Sequence, residues 1–266
     1  MTRLKEDWIR DIQTGIREYD REIVCKTGMT LLELAAAANE IHPDRIREAA
    51  ESYKVAAVPI TAGEGIIGTF SQSVAAILHH LGFQTAVTEA TDVDGIYEAY
   101  RTGAHCLFLA DDRRFVGINR QKDRISDNNI ATAKGYITAL EQLAGGLAGH
   151  KVLVLGYGVV GQYMVHFLKE KGAYPVVFDI DPAKTADLSR EMLLTDIELI
   201  KNYPLLLDAT NNGEWIREEM LHPDFRMAAP GIPLSLSEEL YNKHRHRVIH
   251  DWLQIGTAVM MGELCK

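Results

Sequence analysis

The stretch that most restricts the fold is Lys151-Val-Leu-Val-Leu-Gly156-Tyr157-Gly158-Val159-Val160-Gly161. An apolar run of strand length passes straight into glycines at G-x-G-x-x-G spacing. A helical pattern then continues through Lys171. Gly156 permits the tight turn, Gly158 lets the backbone approach a pyrophosphate, and Gly161 lets helix and strand pack closely. The helix N-terminus supplies free N–H groups and a partial positive charge for phosphates. A second strand, Pro175–Phe178, leads into Asp179, 18 residues beyond Gly161. That is near the place where an acid binds ribose hydroxyls, and an acid there favours NAD over NADP because it repels a 2′-phosphate. Asp181 competes for the role. A Rossmann unit holding NAD is the reading of this half.

Further strands are expected at Leu205–Leu207, Arg226–Ala229 and Arg247–His250, with helices in the gaps and a last helix from about Ile255. The loops after two of them carry Ala209-Thr210 and Pro230-Gly231. Ligands bind outside the carboxyl ends of parallel strands, so these loops are candidate cofactor contacts as well as plain turns.

The first half alternates too. Trp8, Ile9, Ile12, Ile16, Tyr19 and Ile23 predict one amphipathic helix. Leu31–Asn39 predicts a second, and His42-Pro43-Asp44 opens a third. Strands are expected at 54–60, 85–88 and 105–110, with helices at 68–81 and 93–101 between them. That order implies a parallel sheet covered on both faces. A long helix follows from Asn128-Asn129 to about Leu143. The expected fold is therefore α/β with two domains. Residues 1–145 form a smaller N-terminal substrate domain and 146–266 the C-terminal Rossmann NAD-binding domain, with the last helix able to pack on the first. The active site is expected in the cleft between them.

Composition narrows the partners. The net charge is −9, and no basic segment stands out, which argues against a nucleic-acid phosphate binder. No apolar run is long enough for a membrane span, and the first residues lack a signal-peptide core. The three cysteines form no C-x-x-C and no metal-ligand spacing, so a reduced, cytoplasmic protein with no metal is expected. His244, His246 and His250 read as a solvated basic face beside Arg245 and Arg247, His79-His80 as a surface pair and Cys106 as core packing.

Substrate candidates lie in the first half. The loop Thr61-Ala62-Gly63-Glu64-Gly65 follows a strand, and its glycines permit close approach by a ligand. A flexible loop ending in a helix cap at Thr69 or Ser71 is the alternative. Asp111-Asp112 end a buried strand and could hold an ammonium group, or form a solvated turn neutralised by Arg113-Arg114. Asn128 and Asn129 could equally be a helix N-cap.

These motifs together carry a family resemblance. VPITAGEGIIGTFSQS, LADDRRF and ISDNN in the first half, then VLVLGYGVVG, FDID, DATNN, APGIP and IGTAVM, run in order as in the pyrrolysine synthase (PylD) family. The chain resembles that family over most of its length, more loosely in the first fifty residues. The resemblance implies the last step of pyrrolysine biosynthesis. There, NAD oxidises the terminal amine carbon of lysine-Nε-3-methyl-D-ornithine, the imine hydrolyses with loss of ammonia, and the aldehyde closes onto the neighbouring α-amine. It implies a homodimer and a small-molecule substrate. It also implies substrate contacts at Leu4 on a closing N-terminal helix, at Ile60, Thr61 and Ala62, at Asp111, and at Asn128 or Asn129. The family has serine where this chain has Ala62, so Thr61 or a backbone group would replace that hydroxyl. No general base is evident. The rival readings are another NAD-dependent amine or amino-acid dehydrogenase or cyclodeaminase, and a non-catalytic NAD(H)-sensing module.

Overall fold

The computed structural model describes residues 4–266. The first expected helix is two, α1 (Glu6–Ile9) and α2 (Ile12–Thr27). The break has a local cause: the Ser73 hydroxyl donates to the Ile9 carbonyl at 3.0 Å, giving that acceptor a partner outside the helix. Helix α3 (Leu31–Ala38) opens on a capping box between Thr30 and Glu33, and α4 (Pro43–Ser52) on His42, which accepts from the Asp44 amide. Then come β1 (Lys54–Val58), α5 (Phe70–His80), β2 (Gln84–Val87), α6 (Asp92–Arg101) and β3 (Cys106–Ala110). Two strands that periodicity missed complete this sheet, β4 (Phe115–Asn119) and β5 (Arg124–Asp127), before α7 (Asn128–Ala144). The sheet order is β2-β1-β3-β4-β5, with β1, β2 and β3 parallel and β4 and β5 antiparallel. The expectation of an all-parallel sheet is thus corrected. Gly117 weakens the strand signal of β4, yet it is a packing requirement: a Cβ there would lie 2.9 Å from Leu264 Cδ1 and 3.1 Å from Phe108 Cζ.

The second half holds β6 (Lys151–Leu155), α8 (Val159–Glu170), β7 (Tyr174–Phe178), β8 (Leu205–Asp208), β9 (Arg226–Ala229), α9 (Glu238–Lys243), β10 (Val248–His250) and α10 (Gln254–Cys265). All five strands are parallel, in the order β10-β9-β8-β6-β7. The expected helices between β7 and β8 and between β8 and β9 are replaced by short 3₁₀ turns. Asp181 and Asp196 each accept an amide two residues on, capping a new turn before a full helix can form.

By internal contact the chain forms two compact units. One holds the described residues up to Cys25, Met29–Gly135 and Trp252–Lys266; the other holds 26–28 and Tyr136–Asp251. The division falls inside α7. The N-terminal unit is the larger of the two and takes in α10, which packs on α3 and α5. Cys106 is core, and burial pushes its thiol up to about 12, which leaves it unreactive at neutral pH. His80 departs from a surface pair: it is half-buried, with Nε2 2.7 Å from Asp20 Oδ2.

Candidate functional site

The candidate residues form two sets, one on each unit. In the second unit every candidate lies at the carboxyl edge of the parallel sheet. Gly156 follows β6 with φ +86°, and a Cβ there would meet the Ala209 carbonyl oxygen at 2.9 Å and the Thr210 amide at 3.1 Å. Gly158 sits at the N-cap of α8, and a Cβ there would meet nothing within 4 Å. A Cβ on Gly161 would overlap the Gly156 carbonyl oxygen. The three glycines thus divide their work as the spacing predicts: two make the turn sterically possible and the middle one leaves open space before the helix N-terminus. Val159 and Val160 begin α8, whose first amides have no intrahelical acceptors.

Asp179 follows β7, and its side chain is only 5% exposed. Its Oδ2 accepts the Tyr157 amide at 2.7 Å and its Oδ1 the Asp181 amide at 2.9 Å, with Lys184 Nζ at 3.6 Å. The carboxylate therefore holds the glycine turn itself. Asp181, the competing acid, caps a 3₁₀ turn through the Ala183 amide. Of the two, Asp179 is the one beside the glycines. After β8, Thr210 donates its amide and hydroxyl to Asp208 Oδ1 at 3.0 and 2.6 Å. After β9, Pro230 leads to Gly231, whose amide donates to the Asp208 carbonyl oxygen at 2.9 Å. A Cβ on Gly231 would lie 2.5 Å from the Thr210 carbonyl oxygen. An open turn at a helix N-terminus beside an acid fits a dinucleotide's pyrophosphate and ribose.

In the first unit a pocket of roughly 560 Å³, counting its open mouth, brings Leu4, Ile60 and Asp111 together. Ile67 and Phe70 add to its apolar wall, and Asp112 joins Asp111 as a second acid. Asp111 Oδ1 accepts the Arg113 and Arg114 amides at 2.8 and 2.7 Å, which fixes the β3–β4 turn. Asp112 Oδ2 accepts the Glu64 amide at 2.6 Å, and a Cβ on Gly63 would overlap that oxygen. The glycine loop is therefore pinned to the acid pair, a contact between distant segments that no local motif signals.

Thr61 and Ala62 follow Ile60 but do not line the pocket. Both the amide and the hydroxyl of Thr61 donate to Asp92, at 2.8 and 2.6 Å, and these bonds hold the Asp92 carboxyl below its usual range. Asn128 and Asn129 lie at the start of α7, outside the pocket lining. The capping acceptor there is Asp127, whose Oδ1 takes the Asn129 amide at 2.8 Å. Asn128 Oδ1 faces Gly256 of α10, where a Cβ would come within 2.7 Å of it. Thr69 precedes α5 without a side-chain cap bond, so that alternative for the glycine loop falls away at Thr69.

The three histidines near the chain's end do not converge. His244 lies 3.3 Å from Glu218 Oε1 and packs edge-on against Phe225, while His246 meets Arg247. His250 is not on a solvated face: its Nδ1 donates to the Ala229 carbonyl at 2.7 Å, and burial lowers its pKa. Among the described residues no group of three His, Cys, Asp or Glu could hold a metal ion. No helix is long and apolar enough to cross a membrane among those residues.

A folded His250 that resists protonation gives a pH test. Below about 6.5 the unfolded chain takes a proton that the folded one refuses, so stability falls as pH falls, by at most ~1.4 kcal/mol per pH unit. Burial raises the pKa of Asp208, which titrates with the opposite sign. The informative quantity is thus the difference between wild type and His250→Asn in urea melts at pH 7.5 and 5.5. Wild type should lose more stability on acidification than the variant, and equal losses would remove His250 as the cause.

A family model described as the N-terminal domain of pyrrolysine biosynthesis protein PylD matches residues 9–126. A protein named pyrrolysine synthase from Methanosarcina barkeri is 35% identical over 213 residues, covering 79% of this chain and 80% of that protein. Its namesake from Methanosarcina acetivorans is 34% identical, over 78% and 81%. The chain belongs to the pyrrolysine synthase family. The family match reaches well into the first fifty residues, where the motifs were sparse. Among solved structures, the bifunctional FolD methylenetetrahydrofolate dehydrogenase/cyclohydrolase from Campylobacter jejuni superposes with a TM-score of 0.57 at 15% identity, over 93% of this chain and 96% of that one. Quinate dehydrogenase from Corynebacterium glutamicum in complex with NAD gives 0.53 at 16% identity, over 81% and 94%. These likenesses show the fold, a dehydrogenase-like α/β architecture with a Rossmann unit.

Proposed function

We propose that the protein carries out the NAD-dependent oxidation of the terminal amine of lysine-Nε-3-methyl-D-ornithine and so completes pyrrolysine. Membership of the pyrrolysine synthase family carries this reading. The amine carbon gives up a hydride and the nitrogen a proton; the imine takes up water and releases ammonia; the aldehyde condenses with the ornithine α-amine, forming the pyrroline C=N bond and water. The turn 156–161, Asp179 and the loops at Ala209-Thr210 and Pro230-Gly231 would hold NAD, which would serve as the two-electron oxidant by accepting the hydride.

The chain's own groups set the remaining conditions. A protonated amine cannot lose hydride, so the reacting nitrogen must be neutral. Asp111 and Asp112 suit an ammonium group of the substrate that stays charged, and the apolar wall formed by Leu4, Ile60, Ile67 and Phe70 suits its methylenes. The same reading makes the protein a cytoplasmic homodimer that takes a small-molecule substrate.

The deciding experiment incubates the protein with NAD and the lysine–methylornithine amide, following NADH at 340 nm together with product mass. NADH and pyrrolysine should appear together. NADH formed equally well from ornithine or lysine alone would favour a general amine dehydrogenase, and no NADH at all would sink the oxidation. Asp179→Ala tests cofactor choice. It removes the acid that repels a 2′-phosphate and releases the Tyr157 amide, so the Kd for NAD should rise about tenfold and the preference over NADP should narrow. An unchanged ratio of NAD to NADP affinities would take that role from Asp179.

A further inference from the structure

Asp208 is the last residue of β8 and is completely buried, yet it has no place in the proposed chemistry. Its surroundings explain why a carboxyl is kept there. The Ala209–Thr210 segment above it is gripped from two sides. On one side lies the Gly156 turn, with no room for a Cβ against Ala209 and Thr210; on the other lies Gly231, with no room against the Thr210 carbonyl. Asp208 fixes the segment from within. One carboxylate oxygen takes both the amide and the hydroxyl of Thr210, and its backbone carbonyl takes the Gly231 amide. The other carboxylate oxygen makes no aligned hydrogen bond among the described residues, although the Ser235 hydroxyl is close enough to the carboxyl to act on it. A buried acid with one oxygen so poorly satisfied costs stability, so what accounts for a carboxyl here is the pair of Thr210 bonds that its other oxygen accepts.

We propose that Asp208 is a positioning residue of the cofactor site: through Thr210 it sets the Ala209–Thr210 loop against the glycine turn and the Gly231 loop, so that all three present one surface to the dinucleotide. This rests on the reading of that sheet edge as a nicotinamide-dinucleotide site. Asp208 acts through Thr210 and touches no ligand itself.

The test is a set of NADH titrations by fluorescence on Asp208→Ala, Asp208→Asn, Thr210→Val and the double variant Asp208→Ala/Thr210→Val, each with a thermal melt. Asparagine keeps an acceptor for Thr210 and should weaken NADH binding about threefold. Alanine removes the anchor and should weaken it tenfold or more. Thr210→Val, which loses only the hydroxyl bond, should fall between them. Because the two residues act in series, the double variant should lose little beyond Asp208→Ala alone. A structural role would lower the melting temperature without this shared loss of affinity. Should Asp208→Ala fail to fold, Asp208→Asn and Thr210→Val still decide the matter. Wild-type affinity in both would overturn the proposal, as would single-variant losses that multiply in the double variant. Wild-type protein that binds no NADH would overturn the cofactor reading and this proposal with it.

Discussion

Gly161→Ala should cost about 3 kcal/mol of stability and abolish NADH binding, whereas Gly158→Ala should abolish binding and leave stability nearly unchanged. The asymmetry follows from what each methyl would meet. At Gly161 it would run into the Gly156 carbonyl oxygen, a backbone atom that cannot swing aside, so the turn and α8 must part. Forced overpacking of this kind typically costs 1–3 kcal/mol, and a backbone obstacle belongs at the upper end. At Gly158 the methyl meets nothing of the chain within 4 Å. It would occupy the space that the pyrophosphate needs at the α8 N-terminus. Thermal melts and NADH titrations of both variants read the two effects separately. A stable Gly161→Ala that binds NADH, or a Gly158→Ala that binds normally, would show that this turn does not hold the cofactor.

Asp111→Asn should lower kcat/KM for the lysine–methylornithine amide by ten- to a hundredfold with little change in melting temperature. Asparagine retains an oxygen for the Arg113 and Arg114 amides, so the β3–β4 turn persists. What it removes is the negative charge facing the pocket, and a hydrogen bond to a charged group is worth about 1.5–3 kcal/mol. Asp111→Ala should add a loss of stability, because the turn amides lose their acceptor as well. Steady-state kinetics with fixed saturating NAD separate the cases. If Asp111→Asn turns over like wild type, the acid pair is turn structure and the substrate ammonium binds elsewhere. NADH affinity serves as the control, since Asp111 belongs to the other unit from the glycine turn.

The Rossmann half was legible because its rules are local. A strand, three glycines, a helix and an acid at fixed offsets describe a turn whose atoms all come from neighbouring residues. One further contact, the Tyr157 amide, sets Asp179 rather than Asp181 against the glycine turn. The first half was legible in part. Leu4, Ile60 and Asp111 converge on one pocket, while Thr61 turns to Asp92, and Asn128 and Asn129 stay with α7. Asp92 lies 31 residues from Thr61, and Asp112 lies 48 residues from the Glu64 amide it accepts. No periodicity or spacing within a window of ordinary length encodes such pairs.

By itself the sequence determined the alternation of strands and helices, the glycine turn with its acid, and the family motifs. Each is a matter of residue type and short-range spacing, because backbone conformation and binary pattern act over a few residues. Tertiary structure alone decided the antiparallel pair β4 and β5, the 3₁₀ crossovers that replace helices, and the assignment of α10 to the N-terminal unit. It also decided that the buried carboxyl of Asp208 grips Thr210 and that Thr61 is held by Asp92. Those outcomes depend on which distant groups satisfy one another's hydrogen bonds and fill one another's space, and that selection is made only when the whole chain packs.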